Sequence, residues 1–126
     1  MSRLIDKSRA RAALTALAQP TRLDAFRRLI AAHPDAMQAG EIARACRVPH
    51  NTMSTHLASL ARAGLVDVRR AGRTMNYSAD LAGFRALIAF LTRDCCRGRP
   101  EICAPLLADL AEPCRAPATI NEAAHG

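Results

Sequence analysis

Apolar residues recur at helical spacing through most of the first 95 positions, and proline or glycine interrupts them at intervals. Asp6 can cap a first helix that runs through Leu17, with Leu14 and Leu17 as its best-placed apolar side chains. Gln19-Pro20-Thr21 breaks that helix. Proline is tolerated at a helix start, and Leu23, Phe26, Leu29 and Ile30 carry a second helix to about His33. His33-Pro34-Asp35 is a turn, a third helix holds Ile42, Ala43 and Cys46, and Arg47-Val48-Pro49 leads tightly into a fourth.

The fourth helix repeats Met53, Leu57 and Leu60 at i, i+4 and i+7. At about 100° per residue, Asn51, Thr55, Ala58 and Arg62 fall opposite that stripe, with Ser54 nearer the flank. Gly64 is a suitable stop. Leu65–Val68 and Thr74–Ser78 then read as two strands turned by Ala71-Gly72. Asp80 caps a fifth helix whose Leu81, Phe84, Ile88, Leu91 and Cys95 form a narrow seam suited to another helix. Gly98 and Pro100 end it. A short Leu106-Leu107-Leu110 segment is expected to pack back, and residues from about Pro117 onward read as a flexible tail. The expected fold is mainly α with a small β-hairpin, a winged helix-turn-helix. Residues 1–110 are read as one domain and 111–126 as a tail.

Composition changes this picture in two ways. The chain has no Trp, one Tyr (Tyr77) and three Phe, so its core must be built from aliphatic side chains and alanine. The formal net charge of +7 is also unevenly placed. Residues 1–80 hold thirteen Arg and Lys against six Asp and Glu, whereas residues 81–126 hold five of each. A localised positive field implies a polyanionic partner.

The N-terminus, Met1-Ser2-Arg3-Leu4-Ile5-Asp6-Lys7, is too charged for a signal peptide, and no apolar run reaches membrane-spanning length. A cytoplasmic protein with reduced thiols and no membrane partner is expected. An enzyme is not: there is no Cys-x-x-Cys pair, no nucleotide loop and no coherent acid–base set, and no catalytic cofactor is implied.

The candidate chemistry begins on the fourth helix. In a helix-turn-helix the N-terminal residues of the second helix touch base edges in the major groove. Here these are His50, Asn51, Ser54 and Thr55. Asn pairs bidentately with adenine, and Ser or Thr serves several bases. Arg69, Arg70 and Arg73 on the hairpin are expected at phosphates or the minor groove, with Arg62 a further phosphate contact. His56 either fixes the helix against its neighbours or meets a phosphate. Cys46 reads as a small packed residue inside the motif. A winged helix that binds only protein would not need the arginine tip.

The segments Leu17-Ala18-Gln19-Pro20-Thr21-Arg22-Leu23, Ser54-Thr55-His56-Leu57, Leu60-Ala61-Arg62-Ala63-Gly64-Leu65-Val66, and Arg69-Arg70-Ala71-Gly72-Arg73 with Tyr77, taken in order, resemble the ArsR/SmtB metalloregulators. The resemblance covers about residues 10–95. It implies a homodimeric repressor joined through its first and last helices, which leaves double-stranded operator DNA when an inducer binds. A two-fold dimer predicts a palindromic operator with half-sites about 34–36 Å apart, or a multiple of that.

The resemblance does not fix the inducer. The third helix carries only Cys46 rather than a Cys-x-Cys pair, and the fifth has no His. What remains is Cys95-Cys96 and Cys103, which looks like the arsenic-responsive subgroup with a vicinal pair and a third cysteine after the last helix. Trivalent arsenic is soft and pyramidal, so three thiolates complete it, and antimony(III) shares that chemistry. Adjacent helical side chains diverge, so the pair needs the break at Gly98 and Pro100 to converge. Because Cys95 ends the seam, gathering the three thiols is expected to refold the end of the dimer helix and so reach the reading heads. A divalent metal would want a fourth ligand, from Cys114 or His125. A redox or persulfide switch, or methylarsenite, needs only two thiols, and a purely structural role for the cysteines also stays open.

Overall fold

Local capping sets the helix boundaries in the residues that the computed structural model describes, which are 5–94, 99, 101, 102, 104, 105 and 108. The Asp6 carboxylate accepts from the Arg9 N–H at 2.9 Å and opens α1 (Lys7–Ala18). Gln19 is the whole connection to α2 (Pro20–Ala32); its Oε1 accepts from the Arg22 N–H at 2.8 Å, with Pro20 at the first helical position. A two-residue strand, β1 (Met37–Gln38), leads into α3 (Ala39–Cys46), where the Gln38 N–H donates to the Glu41 carboxylate at 2.9 Å. Arg47 then adopts a left-handed φ of 61°, and after Pro49 the chain enters α4 (His50–Arg62). Gly64, at φ +82°, reverses the chain out of α4 while the Leu65 N–H donates to the Leu60 carbonyl at 3.0 Å.

Strands β2 (Val66–Ala71) and β3 (Thr74–Ala79) form the hairpin and pair from Val66 opposite Ala79 to Ala71 opposite Thr74. Its loop is Gly72-Arg73, one residue later than the expected Ala71-Gly72. Gly72 has φ +64° at the first loop position, where type II′ hairpin turns need glycine. β1 adds to the far side of β3 through Met37 opposite Tyr77 and Gln38 opposite Asn76, giving the antiparallel order β1-β3-β2. Two residues are too few to show alternation, so β1 left no pattern in the sequence. Asp80 caps α5 (Leu81–Ala89) by accepting from the Gly83 N–H at 2.9 Å.

The chain divides after Leu91 into two units, Met1–Leu91 and Thr92–Gly126. In the first, Leu29, Ile42, Met53, Leu57, Leu60, Leu65 and Leu87 are fully buried, each contributing about 1.5–3 kcal/mol through apolar burial. The predicted α4 stripe is thus the centre of the core. Phe26 and Phe84 meet edge to face, 5.3 Å between ring centroids. The face α1 turns inward differs from the expectation: Ala10, Ala13 and Ala16 are buried, Leu17 packs beside them, and Leu14 is 43% exposed. Small side chains let α1 lie close on the core, a preference that hydrophobicity alone does not register. Leu23 is likewise 41% exposed while Ala25 takes the buried position.

The fifth helix also differs from the continuous helix expected. Its α-helical hydrogen bonding stops at Ala89, and a π-helical turn follows over Phe90–Asp94. The wider turn shifts the phase of the seam, which one turn of periodicity cannot foresee. In the second unit, the Arg99 Nε donates to the Glu101 carboxylate at 2.9 Å, and the Ile102 N–H donates to the Arg99 carbonyl at 3.1 Å. Cys95, Cys96, Cys103 and Cys114, the leucine segment at 106–110 and the expected boundary at 110/111 all lie outside the described residues.

Candidate nucleic-acid interface

Anchoring of Met53, Leu57 and Leu60 in the core fixes what α4 shows on its other side. His50, Asn51, Thr55, Ala58 and Arg62 are exposed, and Ser54 is half-buried, as the helical projection requires. The Thr55 hydroxyl donates back to the Asn51 carbonyl at 3.2 Å, and an Arg62 Nη donates to the Ser59 hydroxyl at 3.3 Å. The Asn51 side chain has no such tie among the described residues, so its amide is available for an adenine edge.

The wing meets this helix across a recess of about 280 Å³ whose lining includes Gln38, His50, Ser54, Arg73, Met75 and Tyr77. Predicted residues from two distant segments, His50 and Ser54 on α4 and Arg73 on the wing, are therefore brought together. Gly40 on α3 lines the same recess, where a Cβ would meet His50 Cδ2 at 3.4 Å, an ordinary contact distance. The remaining wing arginines separate. Successive strand residues point to opposite faces, so Arg70, opposite Met75, shares the face of the recess. Arg69, opposite Asn76, lies on the other face beside the Asp67 position. Both are exposed.

His56 is half-buried on the flank of α4 towards α2, its Nδ1 3.4 Å from an Arg22 Nη. Burial, and then the adjacent Arg22 charge, hold its pKa below the usual histidine value of 6.5. A neutral His56 accepts from Arg22, which places it among the contacts fixing α4 to α2. Arg22 also donates from Nε to the Ala16 carbonyl at 2.8 Å. Cys46 is half-buried against the core, as its packed reading expects.

A feature the sequence did not reveal lies on that same flank. A cleft of about 450 Å³ between α1, the start of α2 and the end of α4 is lined by Ser8, Arg11, Thr15, Arg22, Ser59 and Arg62, among others. The helical spacing of the polar residues Ser8, Arg11 and Thr15 on α1 is the trace it leaves in the sequence. Among the described residues no group of three or more His, Cys, Asp or Glu side chains is placed to hold a metal, and no helix is long and apolar enough to cross a membrane.

A three-helix core, a reading helix with a polar outer face and a basic hairpin beside it define a winged helix-turn-helix protein. Residues 17–69 match the family model described as a helix-turn-helix domain. Among curated proteins, none matches the chain. Among solved structures, HlyU from Vibrio cholerae is 29% identical with a TM-score of 0.53, covering 73% of this chain and 99% of that one. A structure described as a possible transcriptional regulator for arsenical resistance is 28% identical with a TM-score of 0.57, covering 77% of this chain and 94% of that one. A homodimeric winged helix-turn-helix DNA-binding domain from Mycobacterium bovis, described as a possible ArsR-family transcriptional regulator, is 22% identical with a TM-score of 0.55. It covers 86% of this chain and 89% of that one. The fold of this chain is the winged helix-turn-helix of ArsR-type regulators.

Proposed function

We propose that this chain is a transcriptional repressor of the ArsR type, which binds a palindromic operator as a homodimer and releases it when trivalent arsenic is taken up by Cys95, Cys96 and Cys103. The observation that carries the DNA half is the reading face of α4, where Asn51, Thr55 and Arg62 stand exposed on a helix whose opposite side is fully buried. His50 and Ser54 at the wing-side recess, with Arg70 and Arg73 on the wing face beside it, supply base and phosphate contacts next to it. Arg69 reaches DNA only from the outer face of the wing.

Dimerisation is supported by the exposed Leu14 on α1 and the half-buried Leu81 and Phe84 on α5, and by the homodimeric structural neighbour. The arsenic half rests on the donor set. Three thiols fit a soft, three-coordinate ion, with antimony(III) as the close chemical alternative, and one structural neighbour is described as a possible regulator for arsenical resistance.

The test is fluorescence anisotropy of DNA from upstream of the chain's own gene, bound by reduced protein, while arsenite is titrated in. Release by arsenite and not by zinc, lost in Cys96→Ser or Cys103→Ser, is expected. Coupling of 1–3 kcal/mol corresponds to weakening of about 5–150-fold, and DNA must weaken inducer binding by the same factor. Normal release by Cys95→Ser would remove the route through the end of the fifth helix. Tight binding that ignores arsenite would leave the DNA reading standing and turn the sensor question to oxidants, persulfide and methylarsenite.

A further inference from the structure

The cleft between α1 and the end of α4 gathers three arginines from three separate segments. Arg11 comes from the middle of α1, Arg22 from the first turn of α2 and Arg62 from the last turn of α4. Hydroxyls of Ser8, Thr15 and Ser59 stand among them, and among the described residues no Asp or Glu lines the cleft. Arg22 is held in place, its Nε on the Ala16 carbonyl at 2.8 Å and an Nη at His56 Nδ1. Arg62 donates to Ser59. Arg11 makes no hydrogen bond or ion pair among the described residues. Three guanidinium groups around one concavity repel one another, and no acidic side chain among the described residues of its lining neutralises them. Planar N–H forks with neighbouring hydroxyls match the geometry of a phosphate oxyanion.

Position favours a particular source of that phosphate. Arg62 lies on the exposed strip of α4 that includes Asn51, Thr55 and Ala58, so the cleft borders the reading face. Ser59 projects about 140° around the helix from Ser54, which lines the wing-side recess, so the two concavities flank α4 on different sides. A helix lying in a major groove about 12 Å wide has a phosphate backbone along each flank. The wing recess borders one flank of α4 and the α1 cleft borders the other.

We propose that the α1–α4 cleft is a phosphate-binding site, engaged by the backbone of the duplex that α4 reads, with Arg11 as the contact that α1 contributes. The proposal rests on the DNA-binding reading above and extends the interface to a helix otherwise assigned to packing and dimerisation.

The test pairs two measurements on the full chain. Duplex affinity is measured by anisotropy from roughly 50 to 200 mM salt for the wild type, Arg11→Gln and Ser59→Ala, and loss of one phosphate contact lowers the slope of log K against log salt by about 0.9. Inorganic phosphate is separately titrated into the DNA-free protein while amide resonances of Ser8, Ala12 and Ser59 are followed. Arg11 is exposed and makes no hydrogen bond or ion pair among the described residues, so Arg11→Gln is expected to keep the wild-type circular dichroism spectrum. A reduced slope in Arg11→Gln, with no saturable response to inorganic phosphate, establishes the DNA backbone as occupant. A saturable response that Arg11→Gln abolishes, with an unchanged slope, establishes a phosphate site filled by a free anion and overturns the backbone assignment. An unchanged slope with no phosphate response overturns the site altogether. If the wild type binds no duplex, the DNA reading itself fails, and the phosphate titration still decides the cleft.

Discussion

The two flanks of the reading helix carry positive charge assembled in different ways. On the wing side, Arg69, Arg70 and Arg73 sit within five residues, and the hairpin delivers them as a block. On the α1 side, Arg11, Arg22 and Arg62 are spread over 52 positions, and only the packing of three helices brings them round one cleft. The first arrangement is visible as a run in the sequence. The second exists only once the chain has folded, and each of its members taken alone reads as a solvated surface residue. The difference teaches that a contiguous basic run overstates its flank, because strand geometry sends Arg69 away from the recess. A dispersed set is correspondingly understated.

The largest expected effect comes from removing what both flanks share. Leu57 is fully buried at the centre of the α4 stripe, so Leu57→Ala is expected to cost about 2–5 kcal/mol, read as a lowered urea midpoint with the slope unchanged. Both flanks should lose DNA affinity together as the folded fraction falls. A cost under about 1 kcal/mol would mean that the stripe is not what holds α4 in register.

Between the flanks, Asn51 is expected to behave unlike either. Asn51→Ala should cost about 1–3 kcal/mol of affinity for the preferred sequence through the lost base contact, while the salt dependence stays as it was. A change of slope with no change of sequence preference would make Asn51 a backbone contact and move the reading elsewhere on α4.

The wing itself can be divided. Arg70→Ala is expected to lower the salt slope by about 0.9, the loss of one phosphate, and Arg69→Ala to leave it nearly unchanged. Equal effects from the two would show that the hairpin twists on DNA so that both faces reach the backbone. That would weaken the contrast between contiguous and assembled charge.

The same contrast accounts for what the sequence disclosed. Periodicity located the inner stripe of α4, hence its outer face, because a helix anchored by Met53, Leu57 and Leu60 has no freedom in what it presents. Turn chemistry placed Gly64 and the wing, missing the loop by one residue because Ala71-Gly72 and Gly72-Arg73 both contain the glycine that the turn needs. The inward face of α1 was hidden because alanine carries little hydrophobic signal, and the leucines that do carry it, Leu14 and Leu23, are the exposed ones. β1 was too short to alternate, and the π-helical turn at Phe90–Asp94 changes hydrogen bonding without changing composition. The α1 cleft was hidden because Arg11, Arg22 and Arg62 meet only once three helices have packed. The thiol set is proposed from donor chemistry alone, since Cys95, Cys96 and Cys103 lie outside the described residues.

The smallest expected effect concerns the joint between α4 and the α1 side. His56 sits against Arg22, and burial followed by that charge lowers its pKa from 6.5. The neutral imidazole is therefore the form the fold prefers. The unfolded chain binds a proton at higher pH than the folded one does, so unfolding takes up a proton in the window just below pH 6.5. The stabilisation is fully present above that value and is lost as pH falls through the lowered folded value. Comparing melting temperatures at roughly pH 7.5 and 5.5, the range in which histidine changes charge, the wild type should lose slightly more than His56→Gln. Protonation also sets a cation against Arg22 and loosens the guanidinium that the α1 cleft uses. Acidification should accordingly weaken the α1 flank before the wing flank, seen as a smaller salt-slope difference between wild type and Arg11→Gln at the lower pH. An identical pH response in wild type and His56→Gln would mean that the 3.4 Å contact does not hold α4 to α2 in solution.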